Sequence, residues 1–144
     1  TSRYLPRERL LMAHKESAAS FPGNLESISA ARNFIRNFLS LHGCLKNEVD
    51  VNIAVGEVLQ NIIRYGFDGG NLRGTFTVFL RLERFQISIT VIDTAPPSNA
   101  KAWSNTHRSP EEGGHGLSLV YALASDVKFT ALKNGNKVKL KFLF

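Results

Sequence analysis

Cysteine is almost absent from this 144-residue sequence. Cys44 stands alone, so no intrachain disulfide can form, which fits a reducing compartment. One thiol near one histidine, His42, is too few ligands for a structural metal site, so Cys44 reads as a buried structural residue. Long apolar runs are missing too. Nothing approaches the roughly 20 residues that span a bilayer, and no membrane segment is expected. The opening stretch "TSRYLPRERLLMAHKES" has charges on both sides of its short apolar run and lacks the layout of a signal peptide. It starts at Thr1 without an initiator methionine, as a piece excised from a longer chain would. There is no internal repeat and no low-complexity tract. Acidic residues are the minority, twelve against eighteen Lys and Arg. The resulting net charge of +6 favours acidic partners such as nucleotides, acidic proteins or nucleic acid. A cytoplasmic globular protein is the expectation these absences leave.

What is present is enough for a core. Hydrophobic residues make up 43% of the chain and ten are Phe. The length suits one domain. We read residues 1–9 as an N-terminal arm and residues 10–144 as a single domain.

Along the chain, residues 8–20 hold a weak strand and "FPGN" marks a turn. "NLESISAARNFIRNFLSL" follows as a helix, with Asn24 as its N-cap and Leu25, Ile28, Ala31, Ile35 and Leu39 along one face. His42-Gly43 ends it. A second helix runs from about Glu48 to Tyr65 and closes at Gly66. Phe76, Val78 and Leu80 alternate with Thr75, Thr77 and Phe79, and Ile87, Ile89 and Val91 with Gln86, Ser88 and Thr90, so two strands joined by a short link form a hairpin. Residues 94–115 show no periodicity and are rich in Pro, Gly, Ser and Asn. A loop of that length in a compact domain is usually a lid or a binding loop. "GLSLVYALASD" is a short helix, and "VKFTALKNGNKVKLKFLF" is a closing hairpin turning at Asn134-Gly135-Asn136.

The order β-α-α-β-β-loop-α-β-β pairs strands in hairpins. It predicts an α+β fold: a two-layer α/β sandwich, with a mixed, mostly antiparallel sheet and helices on one face. In the last strand, Lys137, Lys139 and Lys141 share a face opposite Val138, Leu140 and Phe142, as the solvated side of such a sheet would. No stacking aromatics sit among these lysines, which argues against nucleic acid as a partner.

The second helix poses the chemical question. In "GEVLQNIIRYGF", Glu57 and Asn61 interrupt an apolar stretch. At roughly 100° per residue they fall on one polar stripe with Asp50 and Arg64, opposite Val51, Val55, Val58, Leu59 and Ile62. Alone, that stripe reads as a wet helix face. Two later features give it another reading. Asp93 ends a strand and opens the long loop, and "GGHG" closes that loop at a helix start. An Asp at a strand end can accept a hydrogen bond from an exocyclic amine such as that of adenine. Glycines at a helix N-terminus let backbone N–H groups approach phosphates. An Asn oxygen can be the single protein ligand of a Mg²⁺ otherwise held by phosphate and water. A Glu one turn away can serve as general base.

The three motifs, in this order, resemble the GHKL (Bergerat-fold) ATPase superfamily. Within it the chain is most similar to the compact anti-sigma-factor serine/threonine kinases of bacterial partner-switching systems. The resemblance rests on Glu57-Val58-Leu59-Gln60-Asn61 with its Arg64-Tyr65-Gly66-Phe67 ending, on "VIDTAPPSN", and on "GGHGLSLVYALASDVKF". It covers roughly residues 10–144. It implies ATP and Mg²⁺ as cofactors. Asn61 is implied as the metal ligand, Glu57 as the catalytic base for a protein Ser or Thr hydroxyl, and Asp93 as the partner of the adenine amine. Ala95 stands in the turn after Asp93, and Gly113, Gly114, His115, Gly116 and Leu117 form the phosphate-side end of the lid. His115 either touches a phosphate or is simply a lid residue. The implied partners are an anti-anti-sigma protein of the STAS fold, a sigma factor and, since homodimers are common there, a second copy of the chain. A nucleotide-gated binding module without phosphate transfer is the alternative. The sequence departs from the family at two points. Ala95 occupies a position usually held by Gly, where a positive φ would be penalised. A Thr usual near the last strand has no clear counterpart, since Asn136 or Lys137 sits there and Thr130 lies on the preceding strand.

Overall fold

The computed structural model describes residues 15–98 and 115–144. Five strands form one sheet in the order β1-β2-β3-β5-β4, with β1 at Glu16–Pro22, β2 at Thr75–Leu82, β3 at Gln86–Asp93, β4 at Asp126–Leu132 and β5 at Gly135–Leu143. Every neighbouring pair is antiparallel. Three α-helices cover one face: α1 at Glu26–Leu41, α2 at Glu48–Asn61 and α3 at His115–Leu123. The α+β sandwich read from the sequence is the fold observed.

Alternation decides which face is covered. Phe76, Val78 and Leu80 of β2, Ile87, Ile89 and Val91 of β3, and Val138, Leu140 and Phe142 of β5 are buried. They join Ala31, Ile35 and Leu39 of α1 and Val51, Val55, Val58 and Leu59 of α2 in one cluster. Lys137, Lys139 and Lys141 point to the other face and are half-exposed.

Several boundaries differ from the sequence reading, each for a local reason. β1 runs to Pro22, because Phe21 and Pro22 pair with Phe76 and Thr75 before the turn begins. Proline is tolerated there because β1 is an edge strand and has no outward partner for the missing N–H. Asn24 does cap α1: its Oδ1 accepts the Ser27 backbone N–H at 3.1 Å and the Ser27 hydroxyl at 2.8 Å. Leu25, expected on the buried face, is 54% exposed, since it precedes the helical register. The last hairpin turns at Lys133-Asn134, one residue earlier than expected, so Gly135 and Asn136 belong to β5.

The second helix does not stay α-helical to Gly66. After Asn61 it widens into a π turn over Ile62–Gly66, closed by the Phe67 N–H on the Ile62 carbonyl at 3.0 Å. The wider turn lets Ile62, Ile63 and Phe67 all enter the core. Such turns recur where a helix must present a functional group out of register, and this one starts directly after Asn61. Among the described residues, no helix is long and apolar enough to cross a membrane.

Candidate functional site

The polar stripe of α2 is wet only in part. Glu57 and Asn61 are half-buried, whereas Asp50, Gln60 and Arg64 of the same stripe are exposed. Neither side chain makes a hydrogen bond or ion pair among the described residues. Both groups are therefore free to engage water or a ligand. Glu57 faces α3: a Cβ at Gly116 would run into its Oε2. Gly116 has no positive φ, so glycine is needed there for room and not for backbone conformation.

Asp93 closes β3 on the helix-covered face and is 2% exposed. Its Oδ1 accepts two bonds at 3.0 Å, from the Ala95 backbone N–H and from Asn136 Nδ2. Burial pushes its carboxyl above the usual value of 3.8, while the Asn136 side chain and the backbone amides of Ala95 and Asn136 pull it back. Asn136, 3% exposed, lies directly across from Asp93 in the β3–β5 register. A second close contact holds this corner together, since a Cβ on Gly135 would strike the Asp93 carbonyl oxygen.

Asn61 and Asp93 line one cavity of about 280 Å³, together with Tyr65, Gly66, Pro97 and Asn136. The structure thus brings together the oxygen donor on the helix and the acid at the strand end, which are far apart in sequence. Glu57 stands one turn beyond, beside Gly116. Leu117 is buried at the start of α3 and joins the core beneath the site. Ala95 is 1% exposed and has no positive φ, so the anticipated backbone penalty does not arise. It sits close to Gly66, where an added Cβ would lie 2.9 Å from the Ala95 methyl. The methyl missing from Gly66 makes room for the one on Ala95. Gly113 and Gly114 lie outside the described residues, and His115 is described only as the first residue of α3.

One site residue was left undecided by the sequence reading. Asn136 stands near where the family's Thr was sought, and the structure makes it the partner of Asp93. Its sequence signal was its place near the last strand, where the family resemblance leads one to look for a Thr.

The donor set fits a nucleotide with a divalent cation. Asn61, whose side chain makes no hydrogen bond among the described residues, and the acid Asp93 both line the cavity. Fold and site together define a GHKL-type ATPase domain. The chain belongs to the histidine kinase-like ATPase domain family, whose profile matches residues 21–142. A search of curated proteins finds no match. Among solved structures, the chain is similar to that of the RsbU and RsbW domains of Rv1364c from Mycobacterium tuberculosis, with a TM-score of 0.66 at 17% identity, covering 89% of this chain and 31% of that one. The catalytic domain of histidine kinase ThkA aligns with a TM-score of 0.55 at 14% identity, covering 88% of this chain and 95% of that domain. The mycobacterial sensor histidine kinase MprB gives 0.52 at 15% identity, covering 88% and 97%. At these identities the likeness is one of fold. The chain spans about a third of the first of these structures.

Proposed function

We propose that the chain is an ATP-binding anti-sigma regulatory factor, a protein serine/threonine kinase that phosphorylates a STAS-type anti-anti-sigma partner and sequesters a sigma factor when that partner is not engaged. The observation that carries this reading is the pair of uncommitted groups on α2, with Asn61 bordering the cavity that Asp93 closes and Glu57 turned toward Gly116. The family profile supports nucleotide use. The likeness to a structure containing an RsbW domain is compatible with a partner-switching setting, and we place that setting in the cytoplasm.

In this reading the Asp93 carboxylate accepts a hydrogen bond from the adenine amine. Asn61 would hold Mg²⁺, which when bound neutralises phosphate charge. Glu57 takes the proton from the incoming Ser or Thr hydroxyl as its oxygen bonds to the γ-phosphorus, and the β–γ bridging oxygen leaves with ADP. Gly113, Gly114 and His115, which precede Gly116 in the sequence, are assigned to the phosphate side of the nucleotide by the family resemblance alone.

Calorimetry of ATP and ADP with and without Mg²⁺ tests the nucleotide part, and absence of binding would sink it. Glu57→Ala should abolish transfer to the partner and spare ATP binding. The second reading, a nucleotide-gated binding module, draws on Glu57 lying outside the lining of the cavity. Tight ATP binding by the wild-type chain without phosphorylation of any cognate partner would favour it.

A further inference from the structure

The face of the sheet turned away from the helices carries a charge pattern that nucleotide binding leaves unused. Cross-strand pairing sets its side chains in rows. One row runs Arg81, Ser88, Lys141 and Asp126, the next Phe79, Thr90, Lys139 and Lys128, and the next Thr77, Ile92, Lys137 and Thr130. Acids stand only on the first of these, with Glu16 opposite Arg81 at one end and Asp126 at the other. Arg81 is paired, its Nε 3.4 Å from Glu16 and 3.6 Å from Glu83. Lys128, Lys137, Lys139 and Lys141 form no ion pair among the described residues. Lys128 and Lys139 stand directly opposite each other, an arrangement that destabilises a sheet.

Ser88 is a second anomaly on the same face. It is 5% exposed, and its Oγ is buried with no hydrogen-bond partner among the described residues. Its register neighbours are Arg81 on one side and Lys141 on the other. A buried hydroxyl without a partner is costly, and one set between two cations is a donor available to an anion. With Phe79, Arg81, Thr90 and Lys139 it lines a hollow of about 540 Å³. Phe79, exposed on this face, supplies apolar surface there.

We propose that this face docks an extended acidic segment of a partner protein, with carboxylates at alternate positions. Lys137, Lys139 and Lys141 follow one another at about 6.6–6.8 Å along β5, twice the rise per residue of a strand. Carboxylates on every second residue of an extended segment share that spacing. One of them would lie between Arg81 and Lys141 and accept the Ser88 O–H once those long side chains part. A second copy of the chain is a poor occupant, because its matching face would bring lysines against lysines. A phosphate backbone is a poor one too. Glu16 and Glu83 beside Arg81 repel continuous negative charge, whereas a peptide can place an uncharged residue there. The face lies across the sheet from Asn61 and Asp93, so docking on it does not depend on nucleotide use.

The test is fluorescence anisotropy of the full chain with a labelled peptide of alternating Glu and Thr. The comparisons are a peptide of the same composition with its Glu in one block, and a single-stranded DNA of equal charge. Wild type should bind the alternating peptide more tightly than either. Lys139→Glu should weaken that binding about tenfold or more, since it replaces an attraction by a repulsion. Lys46→Glu makes the same change of charge in the turn between α1 and α2, away from this face, and should leave binding within about twofold. Ser88→Ala should weaken the peptide several-fold without lowering the melting temperature, because the hydroxyl it removes has no partner in the free chain. If Lys139→Glu does not fold, Lys128→Glu carries the same test. Equal losses in Lys139→Glu and Lys46→Glu would reduce the effect to net charge and overturn the proposal. So would equal binding of the block peptide, or unchanged binding in Ser88→Ala. DNA that binds as tightly, with the same dependence on Lys139, would make this a nucleic-acid surface instead. A dimer in sedimentation that Lys139→Glu breaks would assign the face to a second copy, and the proposal would be wrong.

Discussion

Gly116→Ala separates the fold from the chemistry at one atom. Gly116 is the second residue of α3, and its backbone is in a region open to any residue. On propensity alone, alanine there should stabilise the helix by up to about 1 kcal/mol. The added Cβ would meet Glu57 Oε2, the far end of a flexible side chain. Glu57 can yield by leaving its preferred rotamer, at about 0.5–1.5 kcal/mol. The two effects nearly cancel, so the melting temperature of the free chain should barely move. The cost falls on geometry. A catalytic group displaced by about 1 Å loses on the order of a hundredfold in rate. On the proposed kinase reading, phosphate transfer to a cognate partner should therefore fall about a hundredfold while ATP affinity, measured by calorimetry, stays within a few-fold. A double variant sharpens the argument. If Gly116→Ala acts through Glu57, adding it to Glu57→Ala should change nothing further, since residues working as one unit are not additive. Full transfer activity in Gly116→Ala, or additive losses in the double variant, would refute the placement of Glu57 against α3.

Two further changes probe the acid at the end of β3. Asp93→Asn keeps an oxygen for the Ala95 and Asn136 bonds and removes a buried charge. The folded-state carboxyl titrates above 3.8, so ionised Asp93 costs stability above its folded pKa, and that cost vanishes as the pH falls to the unfolded value. The asparagine variant should thus melt higher than wild type at pH 7.5, with the gap closing near pH 4, and on the proposed reading it should lose ATP affinity because the amide offers the adenine amine a weaker acceptor than the carboxylate does. A variant that melts lower at pH 7.5 would show that burial is not the dominant influence on Asp93. Gly135→Ala drives a methyl into the Asp93 backbone carbonyl, which cannot swing aside as a side chain can. Overpacking of this kind costs about 1–3 kcal/mol, readable as a lower urea midpoint. A loss under about 0.5 kcal/mol would mean that the β3–β5 corner is looser than described.

The sequence displayed some parts of this molecule and concealed others for reasons of physics. Strand faces were legible because burial follows a period of two, and each of Phe76, Val78 and Leu80 reports the same covered side. The helix carrying Glu57 and Asn61 was legible in the same way. Its end was not, since widening into a π turn answers to where Phe67 must pack. Glu57, Asn61 and Asp93 could be named because their chemistry is written in their side-chain types and their order. Ala95 looked like a liability because the pattern around it calls for glycine, but its cost depends on a φ angle and on the missing methyl at Gly66, and neither is visible in one dimension. Asn136 is the instructive case. "KNGNK" is fully accounted for as turn chemistry, so nothing local tells Asn134 from Asn136. One is in the turn. The other is 3% exposed, facing Asp93 across a strand pair that begins more than forty residues away along the chain, as the separation of 43 shows. A residue whose role lies in satisfying the second oxygen or nitrogen of a distant group leaves no periodic trace, because period encodes which side is buried and not what is met there. Sites of this kind are therefore read last, and Asp93 without Asn136 is an acid whose orientation nothing in the sequence determines.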